Sequence, residues 1–194
     1  MMMVEPRADL VEAKLTTGEY LCCSCGDGRL APWGFARRRK LRSRGGEVWL
    51  RPRRARCVSC LITHVLLSTI ALLRRRDVVE VIGEALTARY LDGKSRSVVA
   101  AEAGVPFDTA LRWQRRFSGK SGEIRELFST LAHRLDPSLS PIQPRPSPEA
   151  DALEAIGMAA AAAARQLGPG ALWRFVAGAS SGRLLSNTSC LLPP

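Results

Sequence analysis

The chain has 194 residues, 46% of them hydrophobic, which is enough to bury a real core in one or two small domains and excludes a disordered polyampholyte. Its formal charge of +11 points to a polyanionic partner, because Lys and Arg gain most by displacing counterions from phosphates. The excess is lopsided: residues 1–76 hold 16 of the 29 Lys and Arg but only 6 of the 18 Asp and Glu.

In chain order, residues 1–19 read as an N-terminal extension without a basic region followed by an apolar stretch, and so without a targeting signal. The longest apolar runs, Val65 to Leu73 and Ala155 to Ala164, are far short of the ~20 residues that span a bilayer. The expectation is a cytoplasmic protein with no membrane partner, in a compartment where paired cysteines bind metal more often than they form disulfides.

Residues 20–76 are rich in Cys and Arg and read as β-strand and loop. Cys22-x-x-Cys25 and Cys57-x-x-Cys60 form two tight turns, each aiming two thiolates at one point, with a basic hairpin-like stretch between them. That is the ligand pattern of a zinc ribbon, so Cys22, Cys25, Cys57 and Cys60 are expected to hold one structural Zn²⁺, with no open position for catalysis. Cys23 and His64 each stand close enough in sequence to replace a ligand in another register. Two other readings stand beside zinc: four unrelated buried cysteines, or a redox-active pair, which would want a strand-helix context. Cys190 reads as a free thiol. Gly45-Gly46 marks a turn, Glu47 to Arg51 alternates as a half-buried strand does, and Pro52 confines that strand to an edge. Arg37, Arg38, Arg39, Lys40 and Arg42 on one arm, with Arg51, Arg53 and Arg54 on the other, form a basic surface suited to phosphate contact. With aromatic residues at only 6%, Trp33, Trp49, Trp113 and Trp173 are expected to be the bulky anchors of the core.

Residues 77–136 read as a helical domain. Val78, Val79, Ile82 and Leu86 recur at helical spacing behind Asp77 as N-cap, and Asp92-Gly93 stops the run. Residues 95–117 fit a helix-turn-helix. Val99, Ala100 and Ala103 face inward from the first helix, Gly104 makes the turn, Val105 fills the corner, and Ala110, Trp113 and Phe117 form the buried stripe of the second. Asp108, Thr109, Arg112, Arg115 and Arg116 then lie on the exposed side, where a recognition helix meets base edges and phosphates in the major groove, Arg112 first among them. An ordinary αα-corner with solvated arginines is the competing reading.

Five prolines in 137–148 make a stiff linker. Residues 149–184 follow as C-terminal helices, with Pro148 at the head of an Ala-rich one, and 185–194 read as a disordered tail. The expected fold is thus mainly α with a small N-terminal β zinc ribbon.

Cys22-x-x-Cys25-Gly26, Leu30-x-x-Trp33-Gly34, Arg56-Cys57-x-x-Cys60, Thr63-His64-Val65-Leu66-Leu67 and Gly104-Val105-Pro106 with Arg112-Trp113 together resemble a bacterial family of zinc-ribbon, helix-turn-helix proteins. That family is related to the DNA-binding parts of insertion-sequence transposases. The likeness covers residues 20–135 and, more weakly, Trp173 and Gly182 to Leu185. It implies a nucleoid-associated bacterial protein that binds double-stranded DNA, with metal at the four cysteines. This chain departs from the family at Cys23, where Pro is usual, at Leu61, where Gly often follows the second pair, and at Pro106, where Ser or Thr commonly caps the helix.

Nothing after Leu135 supplies the strands or carboxylates of a ribonuclease-H-like domain, so no enzymatic activity and no small-molecule substrate is expected. The leading reading is zinc-dependent, sequence-specific binding of double-stranded DNA, related to transposition or derived from it. A dimeric transcription regulator, a homodimer formed through its C-terminal helices, is one alternative, and an adaptor gripping an acidic protein with its ribbon is the other.

Overall fold

The computed structural model describes residues 1–187. Among the described residues, six strands and seven helices make a mixed α/β structure, a correction to the expectation of a mainly α fold. The sheet is larger than expected because the first residues join it. β1 (Met2–Val4) pairs in parallel with β6 (Thr63–Ser68), covering a strand edge that would otherwise stay open. β5 (Arg53–Cys57) and then β2 (Leu30–Phe35) continue the sheet antiparallel, in the order β1-β6-β5-β2. Within 1–19, α1 (Ala8–Thr17) also folds. Val4, Val11, Leu15 and Tyr20 form a small core with Leu30, Ala55, Leu66, Cys22 and Cys57, so the expected extension is a structural part of the cysteine-bearing lobe.

β3 (Arg39–Ser43) and β4 (Gly46–Leu50) form a separate two-stranded hairpin, Ser43 opposite Gly46, with Arg44-Gly45 as its two-residue loop. Gly46 has φ +116, a conformation that side chains resist, which is why the turn falls at the Gly pair. The hairpin is anchored by Leu41, which is fully buried against the helices, and by the bridge from Arg42 to Asp77.

The helical part comprises α2 (Val79–Tyr90), α3 (Arg96–Ala103), α4 (Phe107–Ser118), α5 (Ser121–Leu135), α6 (Pro148–Leu167) and α7 (Leu172–Ala179). Ser95 caps α3 through the Val98 N–H, and Ser147 caps α6 through the Ala150 N–H. Asp77 does not cap α2; its buried carboxylate instead accepts both Nε and Nη2 of Arg42, at 2.8 and 3.2 Å. One hydrophobic core runs from Leu41 and Leu72 through α2 to α7. The alanine face of α6, with Ala152, Ala155 and Ala159 fully buried, is used within the chain. Even the Pro-rich segment contributes, since Leu139 and Ile142 pack on this core.

Two expectations about burial change. Trp113 and Trp173 are core residues, Trp173 lying flat on Gly83, but Trp33 and Trp49 are more than half exposed. The tail begins later than residue 185: Leu184 and Leu185 are fully buried, and the Leu185 carbonyl accepts from Arg75 and Arg116. Residues 188–194, with the expected free thiol Cys190, lie outside the described residues. No helix among the described residues is long and apolar enough to cross a membrane.

Candidate functional site

Two features stand out, a cluster of four cysteines and an arginine-lined cleft beside α4. The cluster is assembled by backbone pairing. Cys22 donates its N–H to Gly28 O (2.7 Å) and accepts from Gly26 N–H (2.9 Å); Cys57 donates to Ile62 O (2.9 Å) and accepts from Leu61 N–H (3.2 Å). Each C-x-x-C is therefore the same tight knuckle. Its last residue needs a left-handed backbone, φ +83 at Gly26 and +61 at Leu61, so the second knuckle keeps its geometry with a leucine where glycine is favoured. β2 and β5 bring the knuckles together by pairing Leu30 with Cys57, and Val58 N–H to Arg29 O (3.0 Å) locks the join. Gly28 permits the approach: a Cβ there would lie 2.2 Å from Cys57 Sγ.

The sulfurs of Cys22, Cys25, Cys57 and Cys60 all lie within 4.8 Å of one another, with 3.6 Å between Cys22 and Cys60 and 3.7 Å between Cys25 and Cys57. A tetrahedron with ~2.3 Å metal–sulfur bonds has edges of about 3.8 Å, so the four thiols are spaced to hold one metal ion. Backbone N–H groups already face the sulfurs: Ser24 donates to Cys22 Sγ, and Ser59 and Cys60 donate to Cys57 Sγ, each at 3.4 Å. At Cys22, burial pushes the thiol up but these N–H groups more than offset it, bringing it down to about 7. The Cys60 N–H and its neighbours bring Cys57 down to about 6. At Cys60 the Ile62 N–H works downward, but burial and the three surrounding sulfurs push it up to about 12. Four sulfurs this close cannot all ionise without a cation between them, and a dication removes that obstacle.

Of the two alternative ligands, neither Cys23 nor His64 belongs to this cluster. His64 is 2% exposed, with Nε2 3.3 Å from Cys22 Sγ and Nδ1 3.6 Å from Cys23 Sγ. It sits behind the Cys22 sulfur, where it would orient that thiolate toward a bound ion.

The cleft, about 940 Å³, lies between the β3–β4 hairpin, the loop Arg74–Arg76 and α4. It brings Arg39, Lys40 and Arg42 of the expected basic surface to the same place as Thr109, Arg112 and Arg116 of the expected recognition face. Lys40 pairs with Glu47 and Arg42 with Asp77. Arg39, Arg74, Arg75, Arg76, Arg112 and Arg116 have no carboxylate partner among the described residues. Several are held by neutral oxygens instead: Arg39 by Arg75 O (3.3 Å), Arg112 by Asp108 O (3.2 Å), and Arg75 and Arg116 by Leu185 O. Such bonds position a guanidinium without cancelling its charge. Burial, then the like charges of Arg116 and Arg112, hold the Arg75 guanidinium below its ordinary value, and burial does the same to Arg39.

α4 is fixed from behind. Ala110, Trp113 and Phe117 are buried, Tyr90 stacks on Phe117, and its hydroxyl meets Ser118 Oγ at 2.9 Å. The turn before α4 has Gly104 at φ +65, and Pro106 flanks the helix with no side-chain cap.

The remaining expected contacts are dispersed. Arg53 is engaged by Glu12 at 2.7 Å and by Gly34 O at 2.8 Å. Arg54 is exposed on β5, and Asp108 and Arg115 are exposed on α4 without lining the cleft. Arg37, Arg38 and Arg51 line a second concavity around Trp49. Arg74 to Arg76 were legible as a charge run but not as part of a site. The exposure of Trp33 and Phe35 had no signal in the sequence, because Leu30 to Phe35 does not alternate; that of Trp49 did, since the alternation of Glu47 to Arg51 puts it on the face of the two charged residues. Comparison of the chain with protein-family models, curated proteins and solved structures returned no match.

Proposed function

We propose that the chain binds double-stranded DNA through the arginine cleft, with α3 and α4 acting as a helix-turn-helix and the four cysteines holding one structural zinc ion. The observation that carries this reading is the cleft itself: six arginines without carboxylate partners converge on one concave surface that includes the exposed side of a rigidly backed helix. A concentration of uncompensated charge of this kind is costly unless a polyanion meets it, and phosphates spaced along a duplex are such a partner. Arg112 and Thr109 point from α4 toward bases, while Arg39 and Arg74 to Arg76 hold flanking phosphates. Zinc supplies a cross-link between the two knuckles, and the chain's own pairing carries that constraint to β2 and β5 and the basic hairpin beyond them. No step of catalysis is involved.

Selection of bound duplexes from a random DNA pool tests the reading, followed by binding titrations against salt. With about five phosphates neutralised, by Arg39, Arg74 to Arg76 and Arg116, the affinity should fall with a log–log slope near −4.5; Arg116→Ala should reduce that slope by about 1, and Arg112→Ala should relax any recovered motif. Absence of duplex binding at low salt, or binding indifferent to both substitutions, overturns it.

A further inference from the structure

The cysteine-bearing lobe exposes three aromatic rings, Trp33 by 52%, Phe35 by 47% and Trp49 by 53%, in a chain with only eleven aromatic residues. Each ring has a guanidinium on it: Arg56 lies 4.7 Å from the Trp33 centroid, Arg51 4.4 Å from Phe35, and Arg38 4.2 Å from Trp49. These three arginines have no carboxylate partner among the described residues. The rings also form a track. The β2–β5 register slips by one residue between Pro32 and Phe35, so Trp33 with Arg56 and Phe35 with Arg53 flank the open edge of β2 from its two faces, and the track passes over that edge. Arg51 on Phe35 and Arg38 on Trp49 line one concavity of about 570 Å³, and Lys40, 5.7 Å from the Trp49 ring, lines the arginine cleft.

We infer that this track is a binding site for single-stranded DNA, continuous with the duplex site in the cleft, so that the preferred substrate is a duplex carrying an unpaired flank. A duplex offers only base edges and phosphates to a protein, and exposed ring faces gain nothing from it. Unpaired bases offer π-faces that stack on aromatic rings irrespective of sequence, and each carries a phosphate for the adjacent guanidinium. An acidic peptide would satisfy the arginines but leave the rings unused. The continuity with the cleft rests on the function proposed above; the single-strand site stands on the rings and their arginines alone.

The experiment uses the metal-loaded full chain, with labelled dT12, the corresponding rU12, and a blunt duplex as probes. Binding of dT12 should quench tryptophan emission and shield it from iodide, since two of the four tryptophans are the exposed ones. Trp33→Ala and Trp49→Ala should each weaken dT12 binding by roughly fivefold or more while leaving the blunt duplex unchanged, and Trp→Phe at either position should restore most of it. Zinc content and circular dichroism identify any variant that fails to fold, and shielding from iodide in the unaltered chain, which reports the exposed Trp33 and Trp49 and not the buried Trp113 of the cleft wall, tests the site without one. Binding of dT12 without quenching, variant affinities within twofold, or tighter binding of rU12 overturns the inference. Blunt-duplex binding with no affinity for dT12 overturns it and leaves the cleft reading standing; loss of both overturns both.

Discussion

Gly28→Ala should disable the cysteine cluster although residue 28 is not a ligand. The added Cβ would sit 2.2 Å from Cys57 Sγ and 3.0 Å from Ser59 Oγ, whereas an unstrained contact needs about 3.5 Å. Cys57 Sγ must therefore move by more than ~1 Å, against a tolerance of about 0.2 Å for a metal–ligand bond. Overpacking of this kind costs ~1–3 kcal/mol. Weakening one of four ligands in a site worth ~10–16 kcal/mol adds about 2 more. Together they predict a loss of roughly 10²-fold or more in zinc affinity at neutral pH. Competition with a chromophoric chelator measures this directly. Gly26→Ala is the matched control: its Cβ meets nothing within 4 Å, and its φ of +83 costs only ~1–2 kcal/mol of backbone strain, about tenfold. The reasoning is refuted if Gly28→Ala binds zinc within threefold of the unaltered chain, or if it is the milder of the two substitutions.

Gly83→Ala places a Cβ 1.8 Å from the Trp173 ring and should cost ~1–3 kcal/mol, several degrees in Tm, whereas Gly157→Ala on α6, with open space around it, should stabilise by ~0.5–1 kcal/mol; thermal unfolding compares them. Arg42→Ala leaves the Asp77 carboxylate, 3% exposed, without its bidentate partner and should destabilise by about 2 kcal/mol, less than a fully buried pair because Arg42 is partly solvated; Arg42→Ala with Asp77→Ala should recover most of the loss in a double-mutant cycle. The only two tyrosines are both held above the ordinary phenol value of 10, Tyr20 by burial and then by its hydrogen bond to the Glu5 carboxylate, Tyr90 mainly by burial. Native Tyr20 and Tyr90 therefore hold their protons to higher pH than the unfolded chain does, so their contribution to stability is complete below pH 10 and declines as pH rises above it; absorbance at 295 nm at pH 10.5 should show less tyrosinate in the native chain than in the chain unfolded by denaturant.

The legible part of the chain was its local chemistry. α2 to α7 begin and end within a few residues of where Ser95, Gly104, the Asp92-Gly93 stop and Ser147-Pro148 put them, because caps, glycine turns and the 3.6-residue period act over a single turn. The four-cysteine cluster was equally readable, since C-x-x-C is a knuckle whatever surrounds it. Asp77 was misread for the opposite reason: a carboxylate ahead of an apolar run is a cap unless a guanidinium 35 residues earlier claims it, as Arg42 does.

What the sequence by itself determined is therefore the helices α2 to α7, the two knuckles and the excess of arginine in 1–76, all products of residues near one another along the chain. The tertiary structure alone decided that Met2–Val4 closes a sheet edge, that the C-terminal helices complete the same core through Trp173 on Gly83, and that Trp33 and Phe35 face solvent. It also decided that arginines from β3, from 74–76 and from α4 share one cleft. Those outcomes depend on long-range pairing and on the volume left between elements. Neither is carried by the pattern of any one segment, because the free energy that selects them is gained only when distant surfaces meet.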